Sequence, residues 1–176
     1  MQKSADAEQA KSTGGMVALY PTPESAAKLL IPGGEPIEDL HLTLGYLGED
    51  VRDLYSSVAA QMIVSDAAEW TPVLTARVFA HATFNPDEYA GREPCGVYLV
   101  GDNKRLPNLY AEIQDGLAGS YELPEQHTPW IPHITAGYGL RAADLSYVGS
   151  IDFDLLVLKW AGEEYTHQLA GVSTLT

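Results

Sequence analysis

The chain has 176 residues, 45% of them hydrophobic, which suits one domain with a sizeable core. A net charge of −14, with Lys104-Arg105 the only adjacent basic pair, speaks against a partner such as long DNA or RNA, whose capture needs a basic stripe. No apolar run is long enough to span a membrane, and the single Cys95 excludes an intrachain disulfide or a cysteine-rich zinc site.

The opening MQKSADAEQAKSTGG has no secretory apolar stretch and reads as a polar tail over 1–14, which favours a cytoplasmic protein. The remainder, 15–176, is expected to form a single bilobal domain, since no linker or low-complexity block divides it. GMVALYP, Gly15 to Pro21, reads as a short buried strand. Thr22-Pro23-Glu24 then opens a helix that stops before Pro32-Gly33-Gly34. DLHLTLGYLG, Asp39 to Gly48, reads as a strand. Val51, Leu54, Tyr55, Val58, Met62 and Ile63 recur at helical spacing, predicting a helix over about 49–65. TPVLTARVFAHATFNPD is a long strand ended by Asn85-Pro86-Asp87, and CGVYLVG its antiparallel neighbour. Pro107 opens a second long helix, with Tyr110, Ile113 and Leu117 on one face. PHITAGYG follows as a strand, and IDFDLLVLKW with EYTHQLA closes the chain as a hairpin. The order predicts an α+β fold with mainly antiparallel sheet and approximate twofold symmetry.

Two strands carry the same pattern: His41-Leu-Thr43-Leu-Gly45-Tyr46 and His133-Ile-Thr135-Ala-Gly137-Tyr138. Strand residues two apart share a face. Unbroken alternation therefore groups each His with its Thr and Gly, and sends Tyr46 and Tyr138 to the core. Across a phosphodiester, one neutral imidazole can take a proton from the nucleophile while a protonated one gives its proton to the leaving oxygen. Each such transfer is typically worth roughly 10²–10⁴ in rate. The hydroxyls of Thr43 and Thr135 can donate to the non-bridging oxygens, where charge builds. This chemistry calls for no metal and no cofactor.

The two tetrads HLTL and HITA, about ninety residues apart, together with the flanks LHLTLGYLG and TPWIPHITAGY, resemble the 2H phosphoesterase superfamily. That group includes the LigT-like 2′-5′ RNA ligases, cyclic phosphodiesterases and phage-borne relatives. The resemblance runs from about Gly15 onward. It implies a bilobal, pseudo-twofold LigT-like fold with a central cleft and helices outside. It also implies His41 and His133 as catalytic pair, with Thr43 and Thr135 holding the phosphate. The implied substrates are small nucleotides: 2′,3′-cyclic phosphates, or 2′-5′-linked and cyclic oligonucleotides. For a phage-borne member, a host cyclic-nucleotide alarm signal is the attractive target. The rival is a nucleotide-binding protein that sequesters its ligand without turnover.

HATF, His81 to Phe84, is a third near-copy without the Gly-Tyr. Unbroken alternation places His81 with Arg77, Phe79 and Thr83, either a row suited to the cleft wall, with Arg77 on phosphate and Phe79 stacking on a base, or an outward-facing polar row. Trp130 is a further stacking candidate or a buried wall residue. His127 and His167 have no partner pattern.

Overall fold

The computed structural model describes residues 12–87 and 92–170. The chain forms β1 (Gly15–Pro21), α1 (Pro23–Leu29), β2 (Leu42–Gly48), α2 (Val58–Trp70), β3 (Leu74–Phe84), β4 (Cys95–Gly101), α3 (Arg105–Ala118), β5 (His133–Tyr138), β6 (Gly149–Trp160) and β7 (Glu163–Gln168). The strands make one open, antiparallel seven-stranded sheet in the order β2-β1-β6-β3-β4-β5, with β7 also on β6. The expected α+β class and antiparallel pairing hold. No described helix is long and apolar enough to cross a membrane.

Local chemistry accounts for most element ends. Thr22 caps α1 by accepting from the Ser25 amide, with Pro23 and Glu24 in the first turn. α3 starts at Arg105, two residues before the Pro107 read from sequence, with the Asn103 side chain accepting from the amides of Arg105 and Leu106. The second helix differs most from expectation. Val51 to Ser57 is not helical, and α2 begins only at Val58. Val51 is buried and its amide donates to the Thr13 carbonyl, while Tyr55 is fully exposed, so their helical spacing marks no common face. The start of α2 is capped from far away. The Tyr121 hydroxyl accepts from the Ala60 amide at 3.0 Å and donates to the Ser56 carbonyl at 2.7 Å. Of the expected tail, residues 12–14 are described. Thr13 is buried and donates to the Glu49 carbonyl, so order begins before β1.

The sheet order is unchanged when β1, β2 and β3 are exchanged with β4, β5 and β6 and the list is reversed. The halves are therefore related by a pseudo-twofold axis between β3 and β6, with α1 and α3 in equivalent connections. One face is covered by helices and holds the core, including Val17, Leu19, Leu42, Leu44, Tyr98, Ile113, Leu117 and Ile134. Six paired strands laid flat would hold β2 and β5 about 24 Å apart. Their Cα atoms instead come within 8 Å, so the sheet is strongly curled and its two edge strands meet.

Both motif strands are bulged at the same place. Thr43 pairs with Ala18 and Gly45 with Val17, so Leu44 is the extra residue. Thr135 pairs with Val97 and Gly137 with Gly96, so Ala136 is the extra residue. A bulge reverses the alternation beyond it. Gly45 and Gly137 consequently turn to the core side, and Tyr46 and Tyr138 to the uncovered face, where they are exposed. This corrects the expectation for all four residues: the glycines do not share the face of their His, and the tyrosines are not core residues. A Cβ on Gly45 would stand 2.8 Å from Leu117 Cδ1 of α3, and one on Gly137 would stand 2.9 Å from the Gly34 Cα. The bulged carbonyls are recaptured: Leu44 O by Gln114 Nε2 at 2.8 Å, and Ala136 O by the Glu35 amide at 2.7 Å. Because the Leu117 methyl can move and the Gly34 backbone cannot, Gly137→Ala is expected to cost more stability than Gly45→Ala. Overpacking of this kind typically costs about 1–3 kcal/mol; urea unfolding of the two variants checks the order.

Candidate active site

His41 stands at the threshold of β2 and His133 opens β5. Each is half-buried, and each makes the same local bond. His41 Nδ1 lies 2.7 Å from the Asp39 carbonyl, and His133 Nδ1 lies 2.7 Å from the Ile131 carbonyl. A carbonyl oxygen can only accept, so both rings carry their proton on Nδ1 and leave Nε2 as the free basic atom. The bond to the carbonyl two residues back also fixes each ring plane. Thr43 and Thr135, two residues on and before the bulge, share the face of their His.

The uncovered face is the inner one, since both imidazoles project from it and the charge of His133 is felt at His41. Burial pushes the His41 pKa below its ordinary value; the hydrogen bond to the Asp39 carbonyl opposes this, and the Lys159 and His133 charges add to it. Burial also lowers His133, against the bond to Ile131. Both rings therefore favour the neutral form. Their walls differ. His41 stacks on Tyr20 with ring centres 5.5 Å apart and 28° between planes. His133 meets Phe84 edge-on at 4.8 Å. Cys95 lies against Thr135, its sulfur 3.9 Å from the hydroxyl, and burial pushes its thiol up.

The remaining candidates separate. A third bulge, at Phe79 in β3, changes the parity there: Val78 pairs with Val100 and Ala80 with Leu99. Ala80, Ala82 and Phe84 thus face inward, and His81 and Thr83 face away, reversing the expected row. His81 Nε2–H donates to the Tyr147 carbonyl at 2.8 Å, its ring set edge-on to Tyr98, which is buried. Thr83 accepts from the Ala142 amide. Arg77 and Phe79 stay exposed, Phe79 lying over Gly101 one register step beyond the Leu99–His133 pair. Trp130 is half-buried. It stacks on Tyr110 with centres 4.0 Å apart and donates to the Thr43 carbonyl at 3.3 Å, so it braces β2 against α3 as a wall residue. Gln126 closes the free edge of β2 by accepting from the Tyr46 amide and donating to its carbonyl. Among the described residues, no three His, Cys, Asp or Glu side chains are grouped to hold a metal ion.

No family model and no curated protein sequence matches the chain. Solved structures do. TT0787 of Thermus thermophilus superposes with a TM-score of 0.65 at 20% identity, covering 90% of this chain and 99% of that one. E. coli LigT, solved with 3′-AMP, gives 0.58 at 18% identity over 89% and 95%. The fold is that of LigT. Usb1 of Kluyveromyces marxianus also matches, at 0.56 and 11% identity over 90% and 99%. The likeness in fold thus covers nearly the whole chain.

Within this LigT-like fold, sequence reasoning missed Tyr20, Phe84 and Lys159 as neighbours of the histidines. No motif marks Tyr20 or Lys159, and Phe84 only ends the HATF near-copy; the pairing of β1 with β2 and β6, and of β4 with β3 and β5, brings them there. The electrostatics give a checkable outcome. Both folded His pKa values lie below the ordinary 6.5. Between those values and 6.5 the unfolded chain binds more protons than the folded one, so stability falls as pH drops through that window. Urea midpoints should decline from about pH 7 to about pH 5, less steeply in His41→Asn. An NMR titration should place both rings below 6.5, with the proton of the neutral form on Nδ1.

Proposed function

We propose that the chain is a cytoplasmic phosphoesterase that cleaves a phosphodiester of a small nucleotide by acid–base catalysis between His41 and His133, without a metal. The observation that carries this reading is the matched pair of imidazoles. Both are oriented by a carbonyl two residues back, both stand on the same face of the sheet, and each lies beside a threonine of the same motif. The LigT-like fold supports it, and a nucleotide is in keeping with the 3′-AMP bound by E. coli LigT.

In this scheme the phosphate sits between the motifs, with the Thr43 and Thr135 hydroxyls donating to its non-bridging oxygens. One neutral imidazole takes the proton of the attacking water, or of a neighbouring ribose hydroxyl. The other must be protonated to serve the leaving oxygen. Since burial disfavours the charged ring, the phosphate's own negative charge supplies the compensation that lets one imidazole hold a proton when substrate is bound. The candidate substrates are 2′,3′-cyclic phosphates, 2′-5′-linked dinucleotides and cyclic di- or trinucleotides. The last class would make the protein a remover of nucleotide signals.

A phosphodiesterase screen over these classes, with EDTA present, is expected to find turnover. His41→Ala and His133→Ala should each lower it by at least ~100-fold, while His81→Ala leaves it near wild type. Loss of activity in EDTA would reject the metal-free scheme. Tight binding without turnover across the panel would favour a sequestering protein instead.

A further inference from the structure

The pseudo-twofold axis makes the surroundings of the two histidines comparable position by position. Thr43, Ala18 and Val157 form one row across β2, β1 and β6; Thr135, Val97 and Ala82 form the equivalent row across β5, β4 and β3. One step toward the histidines, Tyr20 corresponds to Leu99. One step away, the row Tyr46–Met16–Lys159 corresponds to Tyr138–Cys95–Phe84. The two sides of the cleft are therefore alike in backbone and opposite in chemistry. Around His133 the equivalent positions hold Leu99 and Phe84. Around His41 they hold a phenol and an ammonium.

Tyr20 lies between the other two groups, on the middle strand of the three. Its ring stacks on His41 at 5.5 Å, and Lys159 Nζ stands 5.5 Å from the centre of the same ring. Lys159 also faces Glu164 across β6 and β7, but at 3.8 Å, longer than an ordinary charge-assisted bond. The Tyr20 hydroxyl is buried and receives no hydrogen bond of ordinary geometry among the described residues. Buried hydroxyls nearly always have a partner. For Tyr20 the group at hand is the Lys159 ammonium, which gives the phenol oxygen one of its donors. The remaining ammonium donors and the phenol O–H, side by side beside His41, make a recognition site for an anion in a chain of net charge −14.

We propose that Tyr20 and Lys159 bind a second phosphate of the substrate, next to the one held between the histidines, while the Phe84–Leu99 side takes its apolar part. The inference rests on the phosphodiesterase reading and narrows it: the preferred substrate carries at least two phosphates, and a mononucleoside cyclic phosphate is the poorer one. Two sources share this chemistry, the 5′-phosphate of a linear nucleotide and the second diester of a cyclic dinucleotide.

Equilibrium binding of adenosine 3′-monophosphate, adenosine 3′,5′-bisphosphate and cyclic di-AMP to the full chain tests it. The bisphosphate or the cyclic dinucleotide is expected to bind about tenfold tighter than the monophosphate, the gain of one charge-assisted contact. Lys159→Met should bring that preference close to one, Tyr20→Phe should reduce it in part, and Glu164→Gln should preserve it. Which ligand loses affinity in Lys159→Met identifies the source, a terminal phosphate or a diester. Absence of any preference in the wild-type protein, or a preference that survives Lys159→Met, overturns the subsite. If monophosphate binding or phosphodiester turnover persists in that case, the subsite alone has failed. If no nucleotide binds and no diester is cleaved, both readings fall.

Discussion

One extra residue in each motif strand governs the arrangement of this site. A regular strand would keep His, Thr and Gly on the ligand side and send Tyr inward. The bulges at Leu44 and Ala136 end that alternation directly after the threonine. The imidazole and hydroxyl stay on the inner face, while the following glycine turns to the helical side. There it lets α3 approach β2, and lets the loop after α1 approach β5. Each half of the chain thereby packs its connection beneath the other half's motif strand. The carbonyls displaced by the bulges are the atoms that Gln114 and the Glu35 amide capture. The same irregularity thus helps place the catalytic candidates and stitch the halves together.

The curl of the sheet does the rest. The two histidines stand on opposite edge strands, five positions apart in the sheet order. Only because those edges meet do the imidazoles influence one another. Edge strands normally expose unpaired backbone groups. Here the Gln126 amide closes part of the β2 edge, and Trp130 ties its backbone to Tyr110 on α3. Elements far from either motif in sequence therefore hold the site's geometry.

Symmetry in the backbone does not extend to the chemistry around it. An acid–base pair needs two imidazoles in different protonation states, and identical environments give no reason for either assignment. Tyr20 and Lys159 beside His41, against Leu99 and Phe84 beside His133, supply that difference. Burial biases both rings to the neutral form, and the Lys159 charge adds to this at His41.

Sequence alone determined the element types, the antiparallel α+β class, the repeat of His-x-Thr and the pairing of each His with its Thr. These follow from local periodicity and from motifs spaced within a few residues. It misjudged whatever lay beyond a bulge. Gly45, Tyr46, Gly137, Tyr138 and His81 all fell on the wrong face, because a bulge shifts parity without a signal in the residues that form it. It also placed the start of α2 too early, since the cap comes from Tyr121, more than sixty residues along the chain. Only the tertiary structure decided that His81 turns away, that Trp130 is a brace, and that Tyr20 and Lys159 flank His41. Those outcomes depend on which strands pair and in what register, and register is set by long-range packing of the core face.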